Sequence, residues 1–142
     1  MILGLDISTS IVGATILSDD GEVKETFAWD MRNKNHFPDI FAKYNHVQGE
    51  FLDLLASRDI KYIFVEQSLQ MFRSGFSSAK TLSTLASFNG VVSYLCYREF
   101  GIKPEYISAS SARKSCGITI SRGTKAKEQV IKFLLDNEPK FI

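Results

Sequence analysis

The chain has 142 residues, of which 44% are hydrophobic and 23% charged, and its formal net charge is +1. This length and composition predict one soluble globular domain large enough for a core of its own. They argue against a general nucleic-acid binder, which is strongly basic, and against a membrane protein, since no apolar run approaches roughly 20 residues. The N-terminus also lacks the basic start of a signal peptide, so we expect a cytoplasmic protein with no membrane partner.

Three strands joined by short turns open the chain. Residues 1–6 form a short apolar run that ends on a lone carboxylate, and small polar residues follow at positions 8–10. Residues 11–17 are a second apolar run, and the sequence Asp-Asp-Gly at 19–21 leads into a third strand over residues 22–28. Short runs with turn residues between them predict an antiparallel meander.

Helices and two further strands alternate in the rest of the chain. The predicted helices cover residues 38–57, 78–100, 109–115 and 124–137, and the predicted strands cover residues 61–66 and 104–107. Gly101 ends the long second helix, and Thr124 is expected to cap the last one. This order predicts a ribonuclease-H-like α/β fold, in which a mixed five-stranded sheet combines the antiparallel meander with two parallel strands and is flanked by helices.

Two of the apolar strands end on an acid, Asp6 on the first strand and Glu66 on the strand over residues 61–66. If these strands are neighbours, the two carboxylates lie within about 8 Å of each other and can share divalent metal. Mg²⁺ prefers carboxylate and water oxygens, with Mn²⁺ as the alternative. Two such ions about 4 Å apart can stabilise both reacting oxygens of a phosphodiester. Asp6 would bridge both ions, and Glu66 would bind one.

The positive charges are concentrated in the second half of the chain. Between Arg98 and Lys127, seven lysines and arginines stand against two glutamates. A basic surface around an acidic site suits a phosphodiester substrate.

Several other conspicuous side chains have structural interpretations. Cys96 and Cys116 lack the spacing of metal ligands, so we expect two buried free thiols in a reducing cytosol. Trp29 is expected in the core. The isolated His36 and His46 are expected to be structural or surface residues.

Five short motifs occur in order along the chain. They are Leu3-Gly4-Leu5-Asp6, Val65-Glu66-Gln67, the polar stretch 73–80, Ser111-Ala112-Arg113-Lys114 and Ala126-Lys127-Glu128-Gln129-Val130. Together they resemble the RuvC-type Holliday-junction resolvases, in particular their phage and viral branch. The resemblance implies a structure-selective endonuclease that hydrolyses phosphodiesters of Holliday junctions and other branched DNA with the help of Mg²⁺. A phage-encoded protein of this kind would act in the host cytoplasm.

The resemblance also implies roles for basic and apolar side chains. Lys127 and Lys114 match positions where the family places lysines near the scissile phosphate, and a cation there stabilises developing negative charge. Further contacts to backbone phosphates are expected from Arg73, Lys80, Arg122 and Lys125. Met71 and Phe72 lie in the loop that would face the junction centre, where an apolar side chain could wedge between unstacked base pairs.

A homodimer is expected as the active assembly. A four-way junction has two-fold symmetry, so cutting two opposed strands needs two active sites in matching orientation. The helix over residues 78–100 carries small residues beside apolar ones, which gives it apolar surface beyond what one core face needs, and we expect it to form much of the interface. These residues are Ser83, Ala86, Ser87, Gly90 and Ser93, beside Val91 and Tyr94.

Two features depart from the family pattern. Asp6-Ile7-Ser8 stands where family members usually have Asp-Pro-Gly, which changes the turn after the first strand. Members also carry acidic residues, commonly Asp-x-x-Asp, on a C-terminal helix after the Lys127 helix, and no acid after Glu66 matches them. Asp136 is not expected to replace them. The domain over residues 1–142 is therefore expected to be C-terminally truncated, and to bind branched DNA while cutting it slowly or not at all.

Two alternatives to a junction endonuclease remain open. A non-catalytic binder of branched DNA would share the fold and lack the final acids. An actin-like kinase or ATPase domain would begin with the same strand, acid and hairpin, although 142 residues leave little room for the second domain that such proteins need.

Overall fold

The strands and helices lie in the predicted order along the chain. The computed structural model describes residues 1–67, 78–120 and 122–139. Its strands are β1 (Ile2–Asp6), β2 (Ile11–Leu17), β3 (Val23–Asp30), β4 (Tyr62–Glu66) and β5 (Glu105–Ile107). Its helices are α1 (Ile40–Ser57), α2 (Ala79–Phe100), α3 (Ala109–Ser115) and α4 (Ala126–Asn137). Each element begins and ends within two residues of its predicted bounds.

The five strands form one mixed sheet in the order β3-β2-β1-β4-β5. β1 and β3 are antiparallel to β2, whereas β4 is parallel to both β1 and β5. The carboxyl ends of the three parallel strands therefore meet at one edge, with β1 in the centre of the sheet. This topology confirms the predicted ribonuclease-H-like architecture.

One face of the sheet carries the hydrophobic core. Alternate residues of the central strands are buried there, among them Leu3 and Leu5 on β1 and Ile63 and Val65 on β4. They share one hydrophobic cluster with buried residues of α1 and α2, including Val47, Phe51, Leu54, Phe88 and Val92. Trp29 is buried as predicted, and its ring contacts Phe51 edge-on at 5.8 Å. Because side chains alternate along a strand, Asp6 and Glu66 belong to the opposite face.

The opposite face is thinly covered. None of the described residues of α3 or α4 is buried, and Ile131 and Leu135 of α4 are 49% and 60% exposed. Tyr62, on the sheet itself, is 58% exposed. The described residues therefore leave the edge of the sheet that carries the two acids open.

Capping residues explain where two of the helices begin. The Asp39 carboxylate accepts a hydrogen bond from the Ala42 amide at 2.9 Å, and the Ser78 hydroxyl accepts one from the Thr81 amide at 3.1 Å. Gly101 ends α2 with a φ of 70°, a conformation that costs glycine little.

The predicted cap of α4 is wrong. The N-cap position is occupied by Lys125, one residue after Thr124, and its side chain makes no capping hydrogen bond. A lysine ammonium is a donor only, so it cannot accept from the first amides of the helix.

The prediction of two buried thiols is correct only for Cys96. Both cysteines are free, but Cys116 is exposed, because it follows α3, which packs no residue into the core. Burial raises the pKa of the Cys96 thiol to about 12.

Helix α2 extends beyond the core at its N-terminal end. Its buried residues begin at Phe88, so the two turns before it have no buried residue. Ser93, expected in the dimer interface, is buried, because it lies four residues after Asn89 and three before Cys96, which are both buried on the side that faces the core. Within the described ranges, no helix is both long and apolar enough to cross a membrane.

Candidate active site

Asp6 and Glu66 end neighbouring parallel strands and lie side by side. Leu5 pairs with Val65 in the register of β1 and β4, and the next residue of each strand is the acid. Leu5 and Val65 both point into the core, so both acids project from the open face. Since adjacent strands are about 4.8 Å apart, the two side chains begin close together.

The electrostatics of Glu66 agree with this proximity. Partial burial raises the pKa of the Glu66 carboxyl, and the negative charge of Asp6 and hydrogen bonding with the Asp6 carboxyl raise it further. Together with the strand register, this is the closeness that the predicted separation of about 8 Å requires. Two acids held this close repel each other when both are ionised, which is the arrangement that a divalent cation stabilises.

Two cations lie within electrostatic range of this pair. Arg113 and Lys127 both oppose the rise in the pKa of Glu66, and Arg113 has the larger effect. Arg113 lies on α3, which begins two residues after Ile107, the β5 partner of Glu66. Lys127 lies in the first turn of α4. Both helices therefore present positive charge to the acidic end of the sheet.

Arg113 is a site residue that the sequence analysis missed. It belongs to the motif Ser111-Ala112-Arg113-Lys114, but the role of a cation near the scissile phosphate was predicted for its neighbour Lys114. Lys114 is exposed and lines a groove of about 360 Å³ together with Arg113. Arg113 could have been identified from its short distance along the chain after β5. A helix that follows a strand beside Glu66 begins near the end of that strand, so its side chains lie near Glu66.

Space is left beside Asp6 by a glycine. Gly13 is the register partner of Asp6 on β2, and a Cβ built at Gly13 would lie 3.7 Å from the Cβ of Asp6. A larger side chain at this position would lie against the Asp6 carboxylate. The glycine therefore keeps one side of Asp6 accessible.

The turn after Asp6 is fixed by its own polar groups. The Ser8 hydroxyl donates to the Ile11 carbonyl at 2.7 Å and accepts from the Ile11 amide at 3.1 Å. Ile7 is buried in the core. Asp6-Ile7-Ser8 thus anchors the turn with one apolar side chain and one hydroxyl, where the family pattern has proline and glycine.

The donors at this edge fit a hard divalent cation. Two carboxylates with open space beside one of them are ligands that Mg²⁺ or Mn²⁺ accepts. No group of three or more His, Cys, Asp or Glu side chains suited to a metal occurs among the described residues. Asp136 is nine residues beyond Lys127 on α4, about 13 Å along the helix axis, and lines a different cleft with Lys132 and Phe133.

The remaining predicted residues are exposed or lie outside the described ranges. Lys80 is exposed in the first turn of α2, and Arg122 and Lys125 are exposed in the segment that leads into α4. Arg73, Met71 and Phe72 lie outside the described residues. The roles of all of them in DNA binding stay predictions.

Comparison with known proteins identifies the fold. No model of a protein family and no curated protein matches the sequence. Among solved structures, RuvC of Thermus thermophilus in complex with a Holliday junction substrate matches 95% of this chain and 76% of its own, with a TM-score of 0.70 and 11% identity. A second Thermus thermophilus RuvC structure matches 95% of this chain and 78% of its own, with a TM-score of 0.63 and 13% identity.

A third similar structure comes from a eukaryote. The yeast mitochondrial Holliday junction resolvase Ydc2 matches 95% of this chain and 60% of its own, with a TM-score of 0.55 and 16% identity. Sequence identities this low establish a common architecture and leave the chemistry to be argued from the site. Over nearly its whole length, the chain has the fold of the RuvC-type Holliday-junction resolvases.

Proposed function

We propose that this protein is a structure-selective endonuclease that resolves Holliday junctions and related branched DNA by metal-dependent hydrolysis of phosphodiesters. The observation that carries the proposal is the pair Asp6 and Glu66 at the centre of a RuvC-type sheet, with Arg113 and Lys127 in electrostatic range. Two adjacent carboxylates flanked by cations suit a reaction that must hold a phosphate and stabilise the negative charge that develops on it.

Each charged residue has a distinct task in this proposal. Asp6 and Glu66 hold the divalent cation, Mg²⁺ or alternatively Mn²⁺, whose charge would stabilise the phosphate oxygens when it is bound. Lys127 and Arg113 stabilise negative charge that develops on the phosphate. Their charges also keep Glu66 closer to its ionised, metal-binding form.

The open face gives a duplex arm room to approach. Arg113, which is in electrostatic range of Glu66, also lines the groove that it shares with Lys114. Lys80, Arg122 and Lys125 are exposed and supply further contacts to backbone phosphates. Phosphate contacts of this kind position the substrate, whereas selectivity for a branch comes from the shape of the junction.

A homodimer would match the symmetry of a four-way junction. Helix α2 presents an exposed stripe at helical spacing on the side away from the core, which we call the α2 stripe. It consists of Ser83, Ser87, Gly90, Tyr94 and Tyr97. Tyr94 and Tyr97 are 56% and 49% exposed, and small residues beside them allow close approach of a second helix. A two-fold axis through this stripe would place two active sites in matching orientation.

A non-catalytic binder of branched DNA is the second candidate. It is favoured by the size of the acidic cluster, since the described residues offer two carboxylates and no third ligand beside them. Two carboxylates hold a divalent cation less firmly than three or four do. No observation on the described residues favours the actin-like kinase.

One experiment separates these candidates. A synthetic four-way junction and a duplex of the same sequence are incubated with the protein in Mg²⁺, in Mn²⁺ and in EDTA, and both binding and nicking are measured. An endonuclease binds the junction in preference to the duplex and nicks it only with metal. The binder shows the same preference without nicking. Equal affinity for junction and duplex would contradict both.

A further inference from the structure

Lys43 of α1 reaches the turn that follows Asp6. Its ammonium donates a hydrogen bond to the Thr9 carbonyl across 34 residues of sequence. Thr9 is three residues after Asp6, so its backbone is at most about 11 Å from that of Asp6. Lys43 therefore lies at the same edge of the sheet as the acidic pair, although it comes from a helix on the other face.

The charge of Lys43 has no carboxylate partner among the described residues. Asp39, four residues earlier, is the natural ion-pair partner on a helix, but its carboxylate caps α1 by accepting from the Ala42 amide. The Thr9 carbonyl occupies one of the three donors of the ammonium. Lys43 is also half-buried, which makes an uncompensated positive charge more costly.

The position of Lys43 within α1 adds to this cost. It is the fourth residue of the helix, and the first turn of α1 contains no acidic residue. The N-terminal end of a helix carries partial positive charge, to which Lys43 adds and which the Asp39 carboxylate at the N-cap offsets. A bound anion would accept from the free donors of Lys43 and bring further negative charge to this end of the helix.

The sheet order places this cation on the other side of β1 from Arg113. Thr9 lies between β1 and β2, whereas Arg113 lies on α3, which follows β5 directly. We infer that Lys43 binds a backbone phosphate of the DNA on the β2 side of the acidic pair, so that the substrate strand crosses the edge of the sheet between cations on both flanks. This inference rests on the proposed function. It assigns a substrate contact to the N-terminal half of the chain, where the sequence predicted none.

Substitutions of Lys43 test the contact through its salt dependence. The affinity for a labelled four-way junction is measured by fluorescence anisotropy in EDTA, at salt concentrations from about 50 to about 200 mM. We expect Lys43→Gln to reduce the salt slope by about one phosphate contact, while Lys43→Arg retains the slope. Gln can still donate to Thr9, so its effect reports the lost charge.

Lys61 provides the matched control. It is an exposed lysine next to the amino end of β4, at the opposite edge of the sheet, so Lys61→Gln makes the same change in net charge. We expect its salt slope to equal that of the unaltered protein. An unchanged slope for Lys43→Gln, or an equal loss for Lys61→Gln, would overturn the inference. So would a loss of cleavage by Lys43→Gln with no change in affinity, because Lys43 would then act only on the turn.

A footprint on the unaltered protein guards against misfolding of the variants. Lysines are acetylated with and without the junction, and the modified positions are read by mass spectrometry. We expect the junction to protect Lys43 and to leave Lys61 reactive. Equal reactivity of Lys43 in both conditions would contradict the contact. If the unaltered protein binds no branched DNA, the proposed function fails, whereas binding with an unaffected Lys43 refutes only this inference.

Discussion

Gly13 and Asp6 are register partners on adjacent strands, and a Cβ at Gly13 would lie 3.7 Å from that of Asp6. That distance is an ordinary van der Waals contact, so one methyl group fits without displacing the strand. Branches beyond the Cβ would extend along the open face beside the Asp6 carboxylate. Gly13 therefore leaves the Asp6 carboxylate accessible, although glycine is otherwise a poor strand residue.

We expect Gly13→Val to weaken metal-dependent cleavage without unfolding the protein. Valine favours the strand but crowds the Asp6 carboxylate, so the Mg²⁺ concentration for half-maximal cleavage should rise about tenfold or more. Gly13→Ala is the matched control and should stay within about threefold of the unaltered protein. Magnesium titrations of junction cleavage and thermal unfolding test both variants. Normal metal dependence in Gly13→Val would show that this side of Asp6 is not used.

Asp6→Asn should abolish cleavage and leave junction affinity similar or tighter. The acid holds cations, and without metal it repels the phosphate, so its neutral isostere removes an obstacle to binding. We expect a loss of about a hundredfold or more in the cleavage rate. Asp53→Asn, which removes an exposed carboxylate of α1, is the control and should change neither quantity. A cleavage rate for Asp6→Asn close to normal would remove Asp6 from the site.

Lys127 and Lys125 should differ in what they contribute, although they are two residues apart and both exposed. Lys127 is in electrostatic range of Glu66, so Lys127→Ala should lower the cleavage rate by about tenfold to a hundredfold with at most a modest loss of affinity. Lys125→Ala should weaken binding and reduce the salt slope by about one. Single-turnover cleavage and anisotropy measure the two effects separately. Identical defects would contradict the division.

The ion pair between Glu25 and Arg58 should make the free energy of unfolding depend on pH in the acidic range. Arg58 Nη2 donates to Glu25 at 2.6 Å, a second bond forms from Nε, and the guanidinium lies 5.7 Å from the Phe27 ring. The hydrogen bonds from Arg58 lower the pKa of the Glu25 carboxyl. The contribution of this ion pair to stability is therefore present above the ordinary pKa of a glutamate and is lost as the pH falls through the lowered pKa of Glu25.

Replacing Glu25 should remove that dependence. Because the Glu25 side chain is 41% exposed, solvent screens the pair, and we expect Glu25→Gln to cost about 0.5 kcal/mol at pH 7. The difference should shrink as the pH falls through the lowered pKa of Glu25 and vanish below it. Chemical denaturation across this range measures it, with Asp53→Asn as the control. A difference that persists unchanged at low pH would show that packing, and not charge, is what the substitution alters.

Substitution in the α2 stripe should disrupt a dimer. We expect the unaltered protein to sediment as a dimer at tens of micromolar, and Ser87→Arg to shift it to the monomer by placing a charge in an apolar contact. Ser87 is exposed, so the monomer should remain folded. Thr26→Arg on the exposed edge strand β3 is the control. A monomeric unaltered protein that still binds the junction would argue against the dimer.

Sequence patterns alone were sufficient for the architecture and for the acidic pair. Alternation of apolar residues indicated which strands are buried, and their order implied that β1 and β4 are neighbours. Because parallel strands end at the same edge of a sheet, the positions of Asp6 and Glu66 at their strand ends implied their proximity. Asp39 and Ser78 were not predicted as caps, although a capping bond spans only a few residues and the helix starts near them were predicted.

Tertiary structure decided which other side chains join that pair. Lys43 meets Thr9 across 34 residues, and Gly13 faces Asp6 only through the register of β1 and β2. The choice between Arg113 and Lys114 depends on the direction in which α3 leaves β5, and the exposure of Cys116 depends on α3 packing no residue into the core. Periodicity and spacing describe neighbours along the chain, whereas these contacts depend on how separate elements pack against each other.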